Sequence, residues 1–376
     1  MRVLLAHDWL TGMRGGEKVL SLLCELFPFA DIATLVHVPG SVEPRIERMR
    51  VRTSWLSDLP RIGHYYRYLL PIMPLVVERM DLQEYDLIVS SSHCVIKGLV
   101  AHPQALHVCY CHTPMRYAWA QGTVYQQSMG LTGLALRAFR GYLRAWDRRS
   151  AEHVDAFIAN SRNVAGRIGT TYDRSAEVVY PPIDTNWLTP GEAEREDFYL
   201  IVSALAPYKK VDQAVEAFAN LPHRLVVIGS GQQLRQLRQV ATPNVELLGW
   251  QDDQAVREHY RRCRALIFPG EEDFGMVPLE AMACGAPVIA YNAGGARETV
   301  RDVQSLPPGE ATGLLYAPQT PEGIAQAVEQ FEAVQDHFDA RQMRRWACTF
   351  GPQAFCRGIR QCLEPLLQQR GWDQPW

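Results

Sequence analysis

Pro269-Gly270-Glu271-Glu272-Asp273-Phe274-Gly275-Met276-Val277-Pro278-Leu279-Glu280-Ala281-Met282-Ala283-Cys284-Gly285-Ala286-Pro287 decides how this chain is read. The residues before it, Ala265-Leu266-Ile267-Phe268, form an apolar run suited to a strand buried on both faces. Pro269-Gly270 breaks that run. Pro278 fits the first turn of a helix, where a missing N–H costs nothing. Gly285 closes the helix, and Pro287 follows it into a second apolar run, Val288-Ile289-Ala290. Ala281, Ala283 and Cys284 are small, so this helix can lie close to a sheet. The stretch is therefore a strand–turn–helix–strand unit of an α/β fold.

The same alternation continues on both sides. In the second half, strands are expected at 198–203, 224–228, 245–248, 265–268 and 287–290, and helices at 211–221, 232–240, 254–263 and 277–284. Such alternation demands a parallel sheet with right-handed crossovers. In the first half, strands are expected at 2–6, 32–37, 51–55, 86–91, 105–111, 155–159 and 177–180, and helices at 19–27, 94–100 and 133–152. Terminal helices are expected at 319–338 and 341–369. The polar segment 189–197, with Pro190 and Gly191, reads as a linker.

At 376 residues the chain can build two α/β cores. Hydrophobic residues make up 47% and charged residues 21%, as in a globular protein, and a net charge of −3 gives no case for nucleic acid as a partner. Met1-Arg2-Val3-Leu4-Leu5-Ala6 runs directly into His7-Asp8, too short for a signal pattern, and no apolar stretch reaches membrane-spanning length. The nine cysteines lack metal-type spacing, so reduced thiols and a cytoplasmic location are expected.

Two carboxylates flank the opening turn, Glu272 before the helix and Glu280 inside it. Unpaired helical N–H groups near Gly275 and Met276 make a weak positive pole that suits a phosphate. Glu280 lies one turn from Met276 and faces the same ligand, where a carboxylate accepts from sugar hydroxyls. The arrangement fits a diphosphate with a sugar ring at each end. Glu–x7–Glu within E-D-F-G-x-V-P-L-E-A-M-A-C-G-x-P-V resembles the signature of family 4 of the retaining, nucleotide-sugar-dependent glycosyltransferases of GT-B type. The resemblance implies that Glu272 contacts the donor sugar, Glu280 the ribose, and Phe274, Gly275, Met276 and Val277 the donor as a whole.

Further motifs extend it. Gly15-Gly16-Glu17-Lys18 resembles the loop that the family places over the donor diphosphate. Cys111-His112-Thr113-Pro114 follows a strand's carboxyl end, where open α/β sheets hold ligands, and the resemblance implies that His112 reaches the transferred sugar. Ser203-Ala204-Leu205-Ala206-Pro207-Tyr208-Lys209-Lys210-Val211-Asp212 resembles G-R-L-x-x-x-K-G-x-D, with Ala204 in place of the usual arginine. Lys209 must then carry more of the diphosphate charge; at a helix start it would oppose the dipole, which suggests an anion. This form is similar to a bacterial branch associated with mannosyl transfer in surface polysaccharide assembly. Leu248-Gly249-Trp250 stands where the family holds the nucleobase, and Ala293-Gly294-Gly295-Ala296-Arg297-Glu298 matches its GG-x-x-E turn. On the acceptor side Asp8 faces an acceptor hydroxyl or caps a turn, and Arg162, after the N-cap Ser161, is a candidate for phosphate.

The expected architecture is GT-B: two Rossmann-like domains with parallel sheets facing across a deep cleft. Residues 1–184 form the acceptor-side domain, with the helix 356–376 crossing back onto it, and residues 185–355 the nucleotide-sugar domain. The implied activity is retaining hexosyl transfer, with mannose from GDP-mannose favoured, to a glycan or lipid-linked saccharide. Glu272, His112 and Lys209 are its catalytic residues, with no cofactor and no metal. Lys209 and helix N-termini replace a cation, since no Asp-x-Asp stands in a suitable loop. Alternatives are a UDP-sugar donor, an epimerase or hydrolase of the same architecture, or a non-catalytic sugar-nucleotide binding module. Two segments raise peripheral contact with the inner membrane as an alternative to ordinary packing. One is the aromatic and apolar run 61–80; the other is Arg137, Arg140, Arg144 and Arg148 on one helix face.

Overall fold

The computed structural model describes residues 1–119, 133–192 and 194–376, with the side chains of 133–137 outside the description. The chain divides into two compact units, Met1–Pro181 with Gln353–Trp376, and Pro182–Pro352.

The first unit is built on a 7-stranded sheet. Its strands are β1 (Val3–His7), β2 (Asp31–Thr34), β3 (Arg50–Thr53), β4 (Leu87–Ser92), β5 (Leu106–Cys111), β6 (Ala156–Ala159) and β7 (Ala176–Val178), in the order β3-β2-β1-β4-β5-β6-β7, all pairs parallel. β1, β4 and β5 are buried on both faces, which is why they read as unbroken apolar runs. Between strands lie α1 (Gly15–Leu26), α2 (Gly133–Ala151) and α3 (Arg162–Tyr172). Ser161 caps α3 by accepting from the Val164 N–H at 3.1 Å.

The second unit carries a 6-stranded parallel sheet in the order β10-β9-β8-β11-β12-β13. Its strands are β8 (Phe198–Val202), β9 (Arg224–Ile228), β10 (Val245–Gly249), β11 (Ala265–Phe268), β12 (Val288–Tyr291) and β13 (Gly313–Tyr316). Its longer helices are α4 (Val211–Phe218), α5 (Leu234–Val240), α6 (Asp253–Arg262), α7 (Met276–Ala283), α8 (Pro321–Val334) and α9 (Ala340–Cys348). The chain then returns to the first unit as α10 (Pro352–Gln369). Phe355, Ile359, Leu363 and Leu367, spaced four apart, are buried there in one core with Leu5, Val108 and Tyr110.

Two expectations need correcting, and one strand was missed. The helix expected at 94–100 is a single 3₁₀ turn, Ile96–Gly98, which Leu99 leaves in extended conformation. The helix expected at 341–369 is two, α9 and α10, separated around Gly351. β13 was not among the expected strands: four residues opening on glycine carry little strand signal of their own, and they form a strand by pairing with β12. The run 61–80 is mostly core, with Tyr66, Leu70, Met73, Val76 and Val77 buried while Tyr68, Ile72 and Leu75 stay exposed. On α2, Arg144 Nε donates to the Ala118 carbonyl at 2.9 Å and Arg148 Nε to that of Thr171 at 3.2 Å, and both guanidinium groups lie over the Trp119 ring. These two are tied to the protein rather than forming a solvated or lipid-facing row; the side chain of Arg137 lies outside the description. Among the described residues no helix is long and apolar enough to cross a membrane.

Candidate functional site

In the second unit the opening stretch forms as its residues dictate. α7 is buried on nearly every side, with Leu279, Ala281, Met282 and Ala283 at zero exposure, and only Met276, Val277 and Glu280 partly open. Gly275 precedes it with φ at +82°, a conformation that favours glycine. The Met276 and Val277 N–H groups of the first turn have no carbonyl one turn back within the helix, so they stand as donors beside Glu272 in the chain. Phe274 does not meet a ligand through its ring, which is 3% exposed and packs against Phe350 with centroids 6.0 Å apart; its backbone alone borders the site.

Lys209 and Glu272, the expected diphosphate and sugar ligands, form an ion pair, both largely but not fully buried. Lys209 does not open a helix: it ends the 3₁₀ turn Pro207–Lys209, and Lys210 enters α4 from the left-handed region. Gly294 and Gly295 shape the other side of the Glu272 loop. The Gly295 N–H donates to the Glu272 carbonyl at 2.9 Å, and a Cβ on Gly295 would lie 2.2 Å from the Phe274 carbonyl oxygen. Thus the GG-x-x-E turn presses directly on the acidic loop. Glu280 accepts from the Tyr260 hydroxyl at 3.2 Å. Tyr260 is 1% exposed, and burial with the Glu280 carboxylate alongside raises its pKa, so it stays a donor. Sequence reading did not single out Tyr260, which looks like an ordinary core aromatic of α6. Gly249 ends β10 with φ at +73°, and its carbonyl accepts from the Gly229 N–H at 2.8 Å; the Trp250 side chain after it is 73% exposed.

In the first unit, parallel pairing brings the strands' carboxyl ends together. His7 is in register with Ser91, and the His112 N–H donates to the Ser92 carbonyl at 2.8 Å. Ser91 Oγ lies 3.1 Å from His7 Nδ1 and 2.8 Å from His112 Nε2. His7 Nε2 faces Glu17 Oε1 at 3.8 Å, and Glu17 Oε2 accepts from the Arg14 N–H at 3.0 Å. Burial pushes the Glu17 carboxyl up, but the His7 imidazole outweighs it and holds the pKa below the ordinary value. His112 is pushed well below the ordinary imidazole value, chiefly by burial and then by His93, His7 and Arg116. A Cβ on Gly16 would lie 3.2 Å from His7 Cε1 and 3.7 Å from His112 Nε2, so this glycine lets α1 close on the two rings, while Gly15 is exposed. His7, Ser91 and Glu17 were not singled out; two of them stand at or next to the ends of inner strands, which is the signal that could have found them.

Of the two expectations for Asp8 the turn cap holds, and the acceptor contact is corrected. Asp8 is fully buried, and its carboxylate accepts from four backbone N–H groups, those of His93 and Cys94 at one oxygen and Val95 and Ile96 at the other. It caps the 3₁₀ turn and has no oxygen left for an acceptor. Arg162 sits exposed at the first position of α3. Among the described residues no group of three or more His, Cys, Asp or Glu side chains could hold a metal ion.

Residues 13–187 match the family described as Glycosyltransferase Family 4, and residues 189–345 that described as Glycosyl transferases group 1. The two matches together cover most of the chain, which belongs to the glycosyltransferases that they describe. Among curated relatives, an uncharacterized glycosyltransferase, MJ1178 of Methanocaldococcus jannaschii, is 31% identical over 164 residues, covering 42% of this chain and 46% of its own. A GDP-mannose-dependent alpha-(1-6)-phosphatidylinositol monomannoside mannosyltransferase of Mycobacterium tuberculosis is 27% identical over 214 residues, covering 49% of this chain and 54% of its own. The chain thus spans about half the length of these two relatives. Among solved structures, Anabaena Alr3699/HepE in complex with UDP superposes with a TM-score of 0.71 at 18% identity, over 97% of this chain and 100% of its own. At that identity the likeness shows the GT-B fold alone, two parallel α/β sheets.

Proposed function

We propose that this GT-B protein transfers a hexose from a nucleoside-diphosphate sugar to a hydroxyl of a glycan or lipid-linked saccharide, with retention and without a metal. The observation that carries the reading is the Lys209–Glu272 pair in the same unit as the free N–H groups of α7, with Glu280 one turn further on. Lys209 and the α7 N-terminus take the diphosphate, and Glu280 takes two ribose hydroxyls. Glu272 and His112 meet the transferred sugar, and Gly249 and Trp250 border the nucleobase. As the bond from C1 to the β-phosphate oxygen breaks, the acceptor oxygen bonds C1 on the same face. The acceptor's proton passes to the departing phosphate, so no protein nucleophile is required. The cation and the helix pole stabilise the charge that develops on the leaving group.

Mannose from GDP-mannose is the favoured donor, on the Ala204-Leu205-Ala206-Pro207-Tyr208-Lys209-Lys210 segment and the mannosyltransferase relative. A UDP-sugar is the second reading, favoured by the UDP complex of the Anabaena neighbour. Thermal shift with GDP-mannose and UDP-glucose separates them. A donor at a hundred times its Kd adds about 2.7 kcal/mol to stability. A clear win for UDP-glucose removes the mannosyl reading, and no shift with either removes the transferase reading. For a lipid-linked acceptor we assign peripheral membrane contact to the first unit, which leaves Trp55, Tyr68, Ile72 and Leu75 exposed. Flotation with anionic liposomes tests it: wild type should float, and a variant with these four changed to Ser should not.

A further inference from the structure

The four groups Glu17, His7, Ser91 and His112 lie in one line in the first unit, hydrogen-bonded from His7 through Ser91 to His112 and joined to Glu17 by a 3.8 Å charge contact, and only His112 is partly open to solvent. A carboxylate is acceptor-only, a serine hydroxyl donates one proton while accepting, and a neutral imidazole donates from one nitrogen and accepts at the other. In such a line the identity of one end dictates every proton position along it. Glu17 is held ionised, so the His7 nitrogen that faces it, Nε2, carries the proton. That nitrogen is buried and has no hydrogen-bond acceptor within ordinary distance, which leaves Glu17 Oε1 at 3.8 Å as its counterpart. In the neutral His7 ring Nδ1 is then a lone pair, and it accepts the Ser91 hydroxyl proton across 3.1 Å. The Ser91 oxygen in turn accepts from His112 Nε2–H across 2.8 Å. What remains on His112 is Nδ1, which has no partner among the described residues.

We infer that Glu17, His7 and Ser91 are positioning residues that fix the tautomer of His112, presenting its Nδ1 as a bare hydrogen-bond acceptor for a hydroxyl of the bound sugar. The logic is that of an acid that orients a catalytic imidazole through its far nitrogen, lengthened here by one histidine and one serine. The other titratable groups around the line are His93, whose burial lowers its pKa and whose ring is tilted on His7 at a centroid distance of 6.0 Å and edge-on to His112 at 6.3 Å, the buried Asp8 carboxylate beside it, and Arg116. Burial first, then the neighbouring imidazoles and the Arg116 guanidinium, hold the His112 pKa well below the ordinary value, so the lone pair is present at neutral pH. Gly16 completes the arrangement, since a Cβ there would press on the His7 ring at 3.2 Å. The sugar contact rests on the transferase reading; the proton order does not.

The test reads the proton order directly, in the free protein. Nitrogen-15 NMR of histidine-labelled wild type at pH 7, with the His112 and His7 signals assigned by loss in His112→Asn and His7→Asn, should show Nδ1 bare and Nε2 protonated in both rings. Glu17→Gln keeps an oxygen for Arg14 but offers His7 an N–H, so the line reverses and His112 Nδ1 gains its proton. Ser91→Ala cuts the line and leaves His112 in both tautomers, whereas Ser91→Thr keeps the wild-type pattern. A wild-type His112 that carries its proton on Nδ1, or on both nitrogens, overturns the inference, as does a His112 spectrum indifferent to Glu17→Gln. The wild-type spectrum decides even where a variant fails to fold. Addition of GDP-mannose or UDP-glucose should then move the His112 Nδ1 signal. If the donor binds by thermal shift and that signal stays still, the sugar contact is wrong while the proton order stands; if neither donor binds, it is the transferase reading that fails. In transfer assays Glu17→Gln should lower kcat by roughly tenfold to a hundredfold with the donor KM little changed.

Discussion

Lys209→Ala tests the donor site most sharply, because the structure separates its effect on folding from its effect on the ligand. The ammonium meets the Glu272 carboxylate with side-chain exposures of 14% and 24%. Solvent screens a pair of that kind, so its loss should cost stability no more than about 1 kcal/mol. The effect on a bound diphosphate is larger, for two reasons. One charged hydrogen bond is lost, about 2–3 kcal/mol. The Glu272 carboxylate also loses the cation that neutralises it and faces the phosphates as a like charge, a further cost of about 1–2 kcal/mol at partly screened distances. Together these predict a fall in kcat/KM of about 4 kcal/mol, roughly a thousandfold. Calorimetric titration with GDP and UDP isolates the phosphate term, because neither carries the sugar. Lys209→Ala should weaken the preferred diphosphate about a thousandfold, and Lys209→Ala/Glu272→Gln should recover about tenfold by removing the repulsion. Diphosphate affinity within twofold of wild type in Lys209→Ala would refute both the site and the charge argument.

Tyr260→Phe removes the 3.2 Å hydrogen bond to Glu280 and should lower donor kcat/KM about tenfold with little change in Tm, while pyrophosphate, which lacks a ribose, binds as to wild type. Gly295→Ala places a Cβ 2.2 Å from the Phe274 carbonyl and should cost about 1–3 kcal/mol in urea unfolding together with loss of donor binding, since the Glu272 loop must shift. Acid should destabilise the fold through His107, which burial lowers from 6.5 to about 4. Its folded state stays neutral while the unfolded chain takes up the proton, so this contribution is complete above pH 6.5 and is lost as pH falls towards 4, about 3 kcal/mol in all. Urea unfolding at pH 7 and pH 4.5 should show a smaller acid loss in His107→Gln than in wild type. Transfer should persist in EDTA; activity abolished by chelation and restored by magnesium or manganese would defeat the metal-free mechanism.

The sheets were legible because period and breakers coincide: 265–268 is apolar throughout and 224–228 is apolar after Arg224, and they end at Pro269 and Gly229. The helix α7 was legible from Pro278 and Gly285. What stayed hidden is what depends on neighbours distant in sequence. β13 exists through its pairing with β12. Asp8 looked like a loop carboxylate because the four N–H groups it accepts from lie some 85 residues away and nothing local announces them. Tyr260 and Glu280 meet across two helices, and Ser91 becomes part of a histidine line only when β1, β4 and β5 pair. Motifs named the residues on the loops; the buried partners that hold them carried no local mark.

The return of α10 to the first unit has a consequence for synthesis of the protein. The first unit's core is missing four buried side chains, Phe355, Ile359, Leu363 and Leu367, until the segment at 352–369 has left the ribosome. At about 1.5–3 kcal/mol each, they represent roughly 6–12 kcal/mol, comparable to the whole stability of a typical domain. The nascent first unit must therefore wait, with an apolar furrow uncovered, while Pro182–Pro352 is translated, on the order of ten to thirty seconds. The second unit, contiguous in the chain, has no such wait and can complete its fold first. This reverses the usual order of folding, makes the nascent first unit a natural client for a chaperone, and marks the α10 segment as the place where stalled or shortened translation would do most harm.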